Sequence, residues 1–164
     1  SLGAITVGTV STPKKAEVAK LAGCHHPVVR SEQNFVDVVK EVTNGEGCAV
    51  VYEAIGKDTL QKSLDSLRPM GVCAAYGHVS GPPEPVDIIQ DLGRRGSLFI
   101  TRPAIMHYVA KRSDLEWTAR DLFRAIEDGV IDANVNYEYP LKDAVKAHKA
   151  IESGKTLGAT VLIP

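Results

Sequence analysis

Three kinds of feature are scarce in this chain, and each scarcity closes off a class of protein. Apolar runs are short: the longest, such as Cys48 to Tyr52 and Val72 to Tyr76, fall far below the roughly 20 residues that a membrane-spanning helix needs. No basic stretch followed by an apolar one opens the chain in the manner of a secretory signal. A soluble, cytoplasmic protein is therefore expected. An excess of either charge is missing as well, since 19 Lys and Arg stand against 20 Asp and Glu for a formal net charge of −1. With those charges dispersed, nothing favours nucleic acid or an anionic membrane as a partner. Cysteine is sparse and odd in number. Cys24, Cys48 and Cys73 are widely spaced, and two of them sit inside apolar runs, so reduced thiols without a disulfide are expected. There is no internal repeat, low-complexity run or flexible linker, and 164 residues leave room for one ordinary domain or pieces of two smaller ones.

What is present is organised around the stretch Ala4 to Lys15, an apolar run that stops at Ser11, Thr12, Pro13, Lys14 and Lys15. It reads as a strand feeding a helix. Ser11 or Thr12 suits the cap and Pro13 the first turn, where its missing N–H needs no partner. Such a junction offers free amides and the positive end of the helix dipole to an anion. The plainer alternative is an ordinary cap flanked by solvated lysines. In a dinucleotide-binding fold the second strand commonly ends in an acid that holds the ribose 2′-hydroxyl and would repel a 2′-phosphate. No acid stands at this strand end, so such a fold would here take NADP rather than NAD.

Strands and helices then alternate. Val18, Leu21 and Ala22 fall at helical spacing before Gly23, and Pro27 to Val29 reads as a short buried strand. Phe35, Val38, Val39 and Val42 form an amphipathic stripe with Asn34 as its cap and Asn44–Gly45 as its end. Cys48 to Tyr52 is apolar without alternation, as a parallel strand covered on both faces requires. Leu60, Leu64 and Leu67 mark a helix closed by Pro69 and Gly71, and Val72 to Tyr76 a further strand. The expected fold is α/β, a parallel sheet with right-handed crossovers. The loop Gly77 to Pro83 leaves the carboxyl end of a strand, where ligands bind in such sheets. A helical stripe at Val86, Ile89 and Leu92 precedes a strand at Ser97 to Thr101. After Pro103 the pattern changes to longer helices at Leu115 to Ile126 and Leu141 to Ile151, with a last strand at Ala159 to Ile163. A boundary near Pro103 follows, dividing residues 1–103 from 104–164.

Four stretches together resemble the C-terminal half of NADPH:quinone oxidoreductases of the zeta-crystallin type, in the medium-chain dehydrogenase/reductase superfamily. They are Leu2 to Glu17 (LGAITVGTVSTPKKAE), Val50 to Gly71 (VVYEAIGKDTLQKSLDSLRPMG), Gly96 to Pro103 (GSLFITRP) and Tyr139 to Pro164. The resemblance implies a Rossmann-like parallel sheet with helices on both faces, and Ser11, Thr12 and Lys15 around the adenosine 2′-phosphate. It also implies Tyr76, Gly77 and the loop to Ser80 beside the nicotinamide ribose and pyrophosphate, with Lys155 near the cofactor. Two positions depart from the pattern. Arg30 stands where relatives often have a Tyr, and an arginine there can stack on the adenine and pair with the phosphate. His78 stands where an amide is more usual.

In the family, a Gly-rich phosphate loop with its strand and a substrate-binding domain come before the position of Leu2. The NADP-binding domain expected for residues 1–103 is therefore incomplete, lacking the first strand and the Gly-rich loop. The helical segment 104–164 is the part that packs on the substrate domain in relatives. With sheet order 3-2-1-4-5-6 the first strand is central, so two edges would lie open. A rearranged sheet or a strand-swapped assembly is expected, and family members commonly dimerise through the strand corresponding to Ser97 to Thr101.

The expected activity is metal-free transfer of reducing equivalents from NADPH to a quinone or related electrophile. The alternatives are an NADPH-dependent reductase of activated C=C bonds and a non-catalytic NADPH-binding module; the chain alone is expected to be inactive. No catalytic side chain is assigned. Cys24, His25 and His26 invite a metal, but adjacent side chains do not easily converge on one ion. His78 reads either as a donor near the nicotinamide or as a polar loop residue. Asp58 is expected to cap a helix, and His148, Tyr108 and Trp117 to pack.

Overall fold

The computed structural model describes residues 3–154 and 156–164. It divides into two compact units, Ile5–Arg112 and one that contains Ser113–Pro164.

The first unit opens with β1 (Val7–Val10), α1 (Pro13–Leu21), β2 (His26–Val29) and α2 (Phe35–Val42). It continues with β3 (Cys48–Glu53), α3 (Leu60–Asp65) and β4 (Leu67–Ala75), then a π-helical turn (Ile88–Gly93), β5 (Phe99–Thr101) and the short α4 (Ile105–Tyr108). β1 pairs with β2 in parallel, and β3, β4 and β5 form a second parallel sheet in that order. This is the strand order of a Rossmann-like sheet on either side of its first strand. The half-sheets do not pair with each other: among the described residues β1 bonds only β2, and β3 only β4. The rearrangement expected from the open edges is thus not adopted within the chain. Each half has its own crossover helix and its own apolar packing, and these hold its register.

That packing is local. Leu60, Leu64, Leu67, Cys73 and Leu98 make one buried cluster where α3 lies on β4, and Val28, Val29, Val36 and Val39 are buried beside the other half-sheet. Full burial of a leucine such as Leu64 contributes about 1.5–3 kcal/mol. Strand β3, read as covered on both faces, leaves Val50 and Tyr52 exposed, because it sits at a sheet edge with one face unpartnered. Leu67 belongs to β4 and not to the helix, which ends at Asp65; β4 continues through Pro69 and a left-handed Met70 (φ 59°). The stripe at Val86, Ile89 and Leu92 becomes the π-helical turn, with Asp87 accepting from the Ile89 and Gln90 amides.

The second unit holds most of α5 (Arg112–Glu127), then β6 (Val135–Pro140), α6 (Ala144–Glu152) and β7 (Ala159–Ile163). β6 and β7 pair in parallel, so this segment is not purely helical. Strand β6 was not anticipated, although its alternation of Val135, Tyr137 and Tyr139 with polar residues is a strand signal. The apolar side of α5 is open, with Leu115, Leu122 and Phe123 exposed and no buried residue on the helix. Trp117 is 66% exposed, and Tyr108 on α4 and His148 on α6 are exposed too, so none of the three is the packing residue expected. Helical periodicity marks an apolar face correctly, but burial also needs a surface to receive it.

Candidate functional site

The junction after β1 forms as a helix start. Thr12 is the cap of α1, its Oγ1 accepting from the Lys15 amide at 3.3 Å, and Pro13 occupies the first turn. Ser11, the residue just before it, lines a groove of about 450 Å³ together with Arg30, Gln33, Asn34, Thr59 and Lys62. Arg30 follows β2, and its amide donates to the Val10 carbonyl at 3.0 Å, which locks the ends of the two strands together. Ser11 and Arg30, 19 positions apart in the chain, are thereby brought to one site. Asp58 lines the same groove; against it stand the cations Arg30 and Lys62, so the wall carries net positive charge.

The second candidate loop is built by two chain segments that interlock. Glu53 ends β3 with its carboxylate buried, accepting from the Ile55 and Gly56 amides at 2.6 and 3.1 Å and from the Thr59 hydroxyl at 2.9 Å. The Ser63 hydroxyl donates to its other oxygen. Burial by itself would raise the pKa of Glu53, but these bonds, that from Ser63 foremost, outweigh it and hold the carboxyl below its ordinary range. Asp58 does not cap α3. The cap position is Thr59, whose hydroxyl accepts from no helix amide and donates to Glu53 instead, and Glu53 orders that turn because its buried charge collects the donors nearby.

Onto this loop the segment after β4 is zipped by its backbone. The Tyr76 amide donates to the Glu53 carbonyl at 2.9 Å, Val79 to Ala54 at 3.2 Å and Ser80 to Ile55 at 2.8 Å. Ser80 Oγ donates to the Ile55 carbonyl and accepts from the Asp58 amide at 3.1 Å. Tyr76 is half-exposed. Beyond the loop, Arg102 Nη1 donates to the Ala75 carbonyl at 2.8 Å, and Nη2 lies 3.4 Å from His78 Nδ1.

Of the residues expected around a cofactor, Ser11 and Arg30 share the groove, and Thr12 and Lys15 form the adjoining helix start. Tyr76, Gly77 and Ser80 lie on the separate β4 loop, which meets the groove wall through the Ser80–Asp58 bond. Lys155 lies outside the described residues. Lys62 and Arg102 were not singled out by sequence reading: each is a lone cation without a spacing signal, and only the fold places Lys62 on the groove wall and Arg102 against the Ala75 carbonyl.

Cys24, His25 and His26 do not converge. Thr6 Oγ1 lies 2.9 Å from His25 Nδ1, and the Cys24 thiol points to the Thr6 carbonyl at 3.9 Å. Among the described residues no three His, Cys, Asp or Glu side chains are grouped to hold a metal.

Comparison with known proteins places the fold in a family. Residues 1–119 match the family model of the zinc-binding dehydrogenases. The chain is 53% identical over 163 residues to a 2-haloacrylate reductase of a Burkholderia species, covering 99% of this chain and 49% of that protein. It is 39% identical over 166 residues to quinone oxidoreductase 1 of Escherichia coli K12, covering all of this chain and 50% of the relative. Among solved structures, that of a 2-haloacrylate reductase superposes with a TM-score of 0.92 over 99% of this chain and 51% of its own. The Escherichia coli quinone oxidoreductase complexed with NADPH gives 0.92 at 39% identity, over 99% and 50%. The chain thus spans about half the length of the curated relatives it matches, and the resemblance read from its sequence holds from end to end.

Proposed function

Because this chain belongs to the zinc-binding dehydrogenase family, we propose that it forms the NADPH-binding part of an oxidoreductase that passes reducing equivalents to a quinone. The observation that carries this reading is the groove shared by Ser11, Arg30 and Lys62 beside the start of α1, at the end of a strand that carries no acid. A guanidinium, an ammonium and a hydroxyl there suit the adenosine 2′-phosphate, which a strand-end carboxylate would repel. When bound, NADPH supplies a hydride.

The chain's own residues bind and orient. Ser11, Thr12, Lys15 and Arg30 hold the phosphate end; Tyr76, Gly77 and the loop to Ser80 border the nicotinamide side; Lys155 adds a contact from the C-terminal segment. Glu53 keeps the β4 loop in register by fixing the loop it docks on. Positioning of this kind requires no metal. Residues 1–103 act as the NADP-binding part, and residues 104–164 as the part that meets a substrate domain. The protein works in the cytoplasm as a homodimer joined through the region of Ser97 to Thr101, and this span alone does not turn over.

A second reading, reduction of a C=C bond conjugated to an electron-withdrawing group, is favoured by the 53% identity to a 2-haloacrylate reductase. Titration with NADPH and with NADH tests the cofactor: tight NADPH and weak NADH binding is expected, and equal binding overturns the phosphate assignment. Oxidation of NADPH by a quinone and by 2-chloroacrylate, measured on the full-length enzyme, then separates the two acceptors.

A further inference from the structure

At the carboxyl edge of the β3–β4–β5 sheet, Arg102 lies against the Ala75 carbonyl and the His78 ring. Its Nη1 donates to the Ala75 carbonyl at 2.8 Å, and its Nη2 approaches His78 Nδ1 at 3.4 Å. A guanidinium only donates, so any hydrogen bond between the two is accepted by the imidazole Nδ1. Arg102 forms no ion pair among the described residues, and both side chains are exposed. The register Ala74↔Thr101 puts this pair at the strand ends, where ligands of parallel sheets bind. The arrangement therefore presents a planar cation without an ion-pair partner among the described residues and an imidazole beside it, both attached to the loop that contains Tyr76 and Gly77.

We propose that Arg102 and His78 form a carboxylate-recognising subsite for an electron-poor alkene acid. This inference rests on the second reading above, that the acceptor is an activated C=C bond. The arginine supplies charge and a flat edge for the two carboxylate oxygens, while the Ala75 carbonyl fixes the orientation of that edge. A neutral quinone offers no carboxylate to the pair, so the subsite selects acidic acceptors over neutral ones.

The test is an NMR titration of this chain, labelled at arginine and histidine side chains, with 2-chloropropanoate and separately with its methyl ester. The acid is expected to shift the Arg102 and His78 signals, and the ester to leave them in place. Arg102→Gln is expected to weaken the acid by about tenfold or more, as loss of a charge-assisted pair implies, and Arg102→Lys to retain part of the response. Should Arg102→Gln fail to fold, His78→Ala with a several-fold weakening carries the same conclusion. No shift with the acid, or equal shifts with acid and ester, overturns the proposal. So does loss of the acid response in saturating NADPH, which would assign the pair to the cofactor's phosphates. A chain that binds the acid through Arg102 but takes no NADPH would instead refute the cofactor reading and leave the carboxylate site standing.

Discussion

Gly77 and Ala54 touch across the two loops that leave β3 and β4: a β-carbon on Gly77 would lie 2.8 Å from Ala54 Cα and would also collide with the Ala54 carbonyl oxygen. Gly56, at φ 91°, is held just as tightly, with the Gly81 carbonyl oxygen 2.6 Å from where its β-carbon would be. Glycine at 77 is therefore explained by the approach of two backbones, whatever else passes over the loop.

Gly77→Ala is expected to destabilise the first unit by about 1–3 kcal/mol, the usual cost of overpacking. Urea denaturation measures it. An unchanged midpoint would mean that the loops part freely and that the interlock has no energetic weight.

Glu53 ties stability to pH. Its folded pKa is lowered, so its contribution is fully present above the unfolded value of about 4.3 and is lost as pH falls through the lower folded value. Stability should stay flat with respect to this group above about pH 5 and decline in more acid solution. Glu53→Gln presents an NH2 group to donors in place of an acceptor and should cost about 1–3 kcal/mol near neutrality. Urea midpoints from neutral to acid pH, for both proteins, decide it: an acid slope that survives the substitution would place the linkage elsewhere.

Arg30→Ala and Ser11→Ala should each weaken NADPH while leaving NADH nearly unchanged. For Arg30 the loss is expected near tenfold, about 1.4 kcal/mol, at the upper end of the range for a typical hydrogen bond. Calorimetric titration with both cofactors provides the comparison. If the two affinities fall together, the groove contributes shape rather than phosphate recognition.

Burial, and then the charges of Glu53 and Cys48, push the Cys73 thiol up to about 11. Since the thiolate is the reactive form, Cys73 should stay unmodified by iodoacetamide at mild alkaline pH while the native fold persists, with Cys24 labelled first. Peptide mass mapping reads the order. Rapid labelling of Cys73 in the native protein would contradict its place in the core.

Much of the fold was legible because local physics wrote it. Thr12 and Pro13 begin α1 by capping and by a fixed φ, and Gly23 and Asn44–Gly45 adopt the left-handed conformations expected of helix ends. The parallel pairing followed from apolar strands alternating with helices, and the absence of an acid after β1 is a sequence fact that no folding alters. The miscounted positions share a cause. Leu67, Trp117 and His148 fit a helical spacing, yet which strand a residue joins, and whether a neighbour covers it, depends on partners distant in the chain.

The sequence by itself determined the alternation of strand and helix in the first unit, most boundaries near caps and glycines, and the family, because each rests on short-range sterics or on residue identity. Only the tertiary structure decided that Ser11, Arg30 and Lys62 share a groove, and that Glu53 rather than Asp58 orders the α3 turn. It also decided that Arg102 meets Ala75 and His78. Those relations come from strand register and from the desolvation of a buried carboxylate, which act between residues far apart in sequence and leave no periodic mark in it.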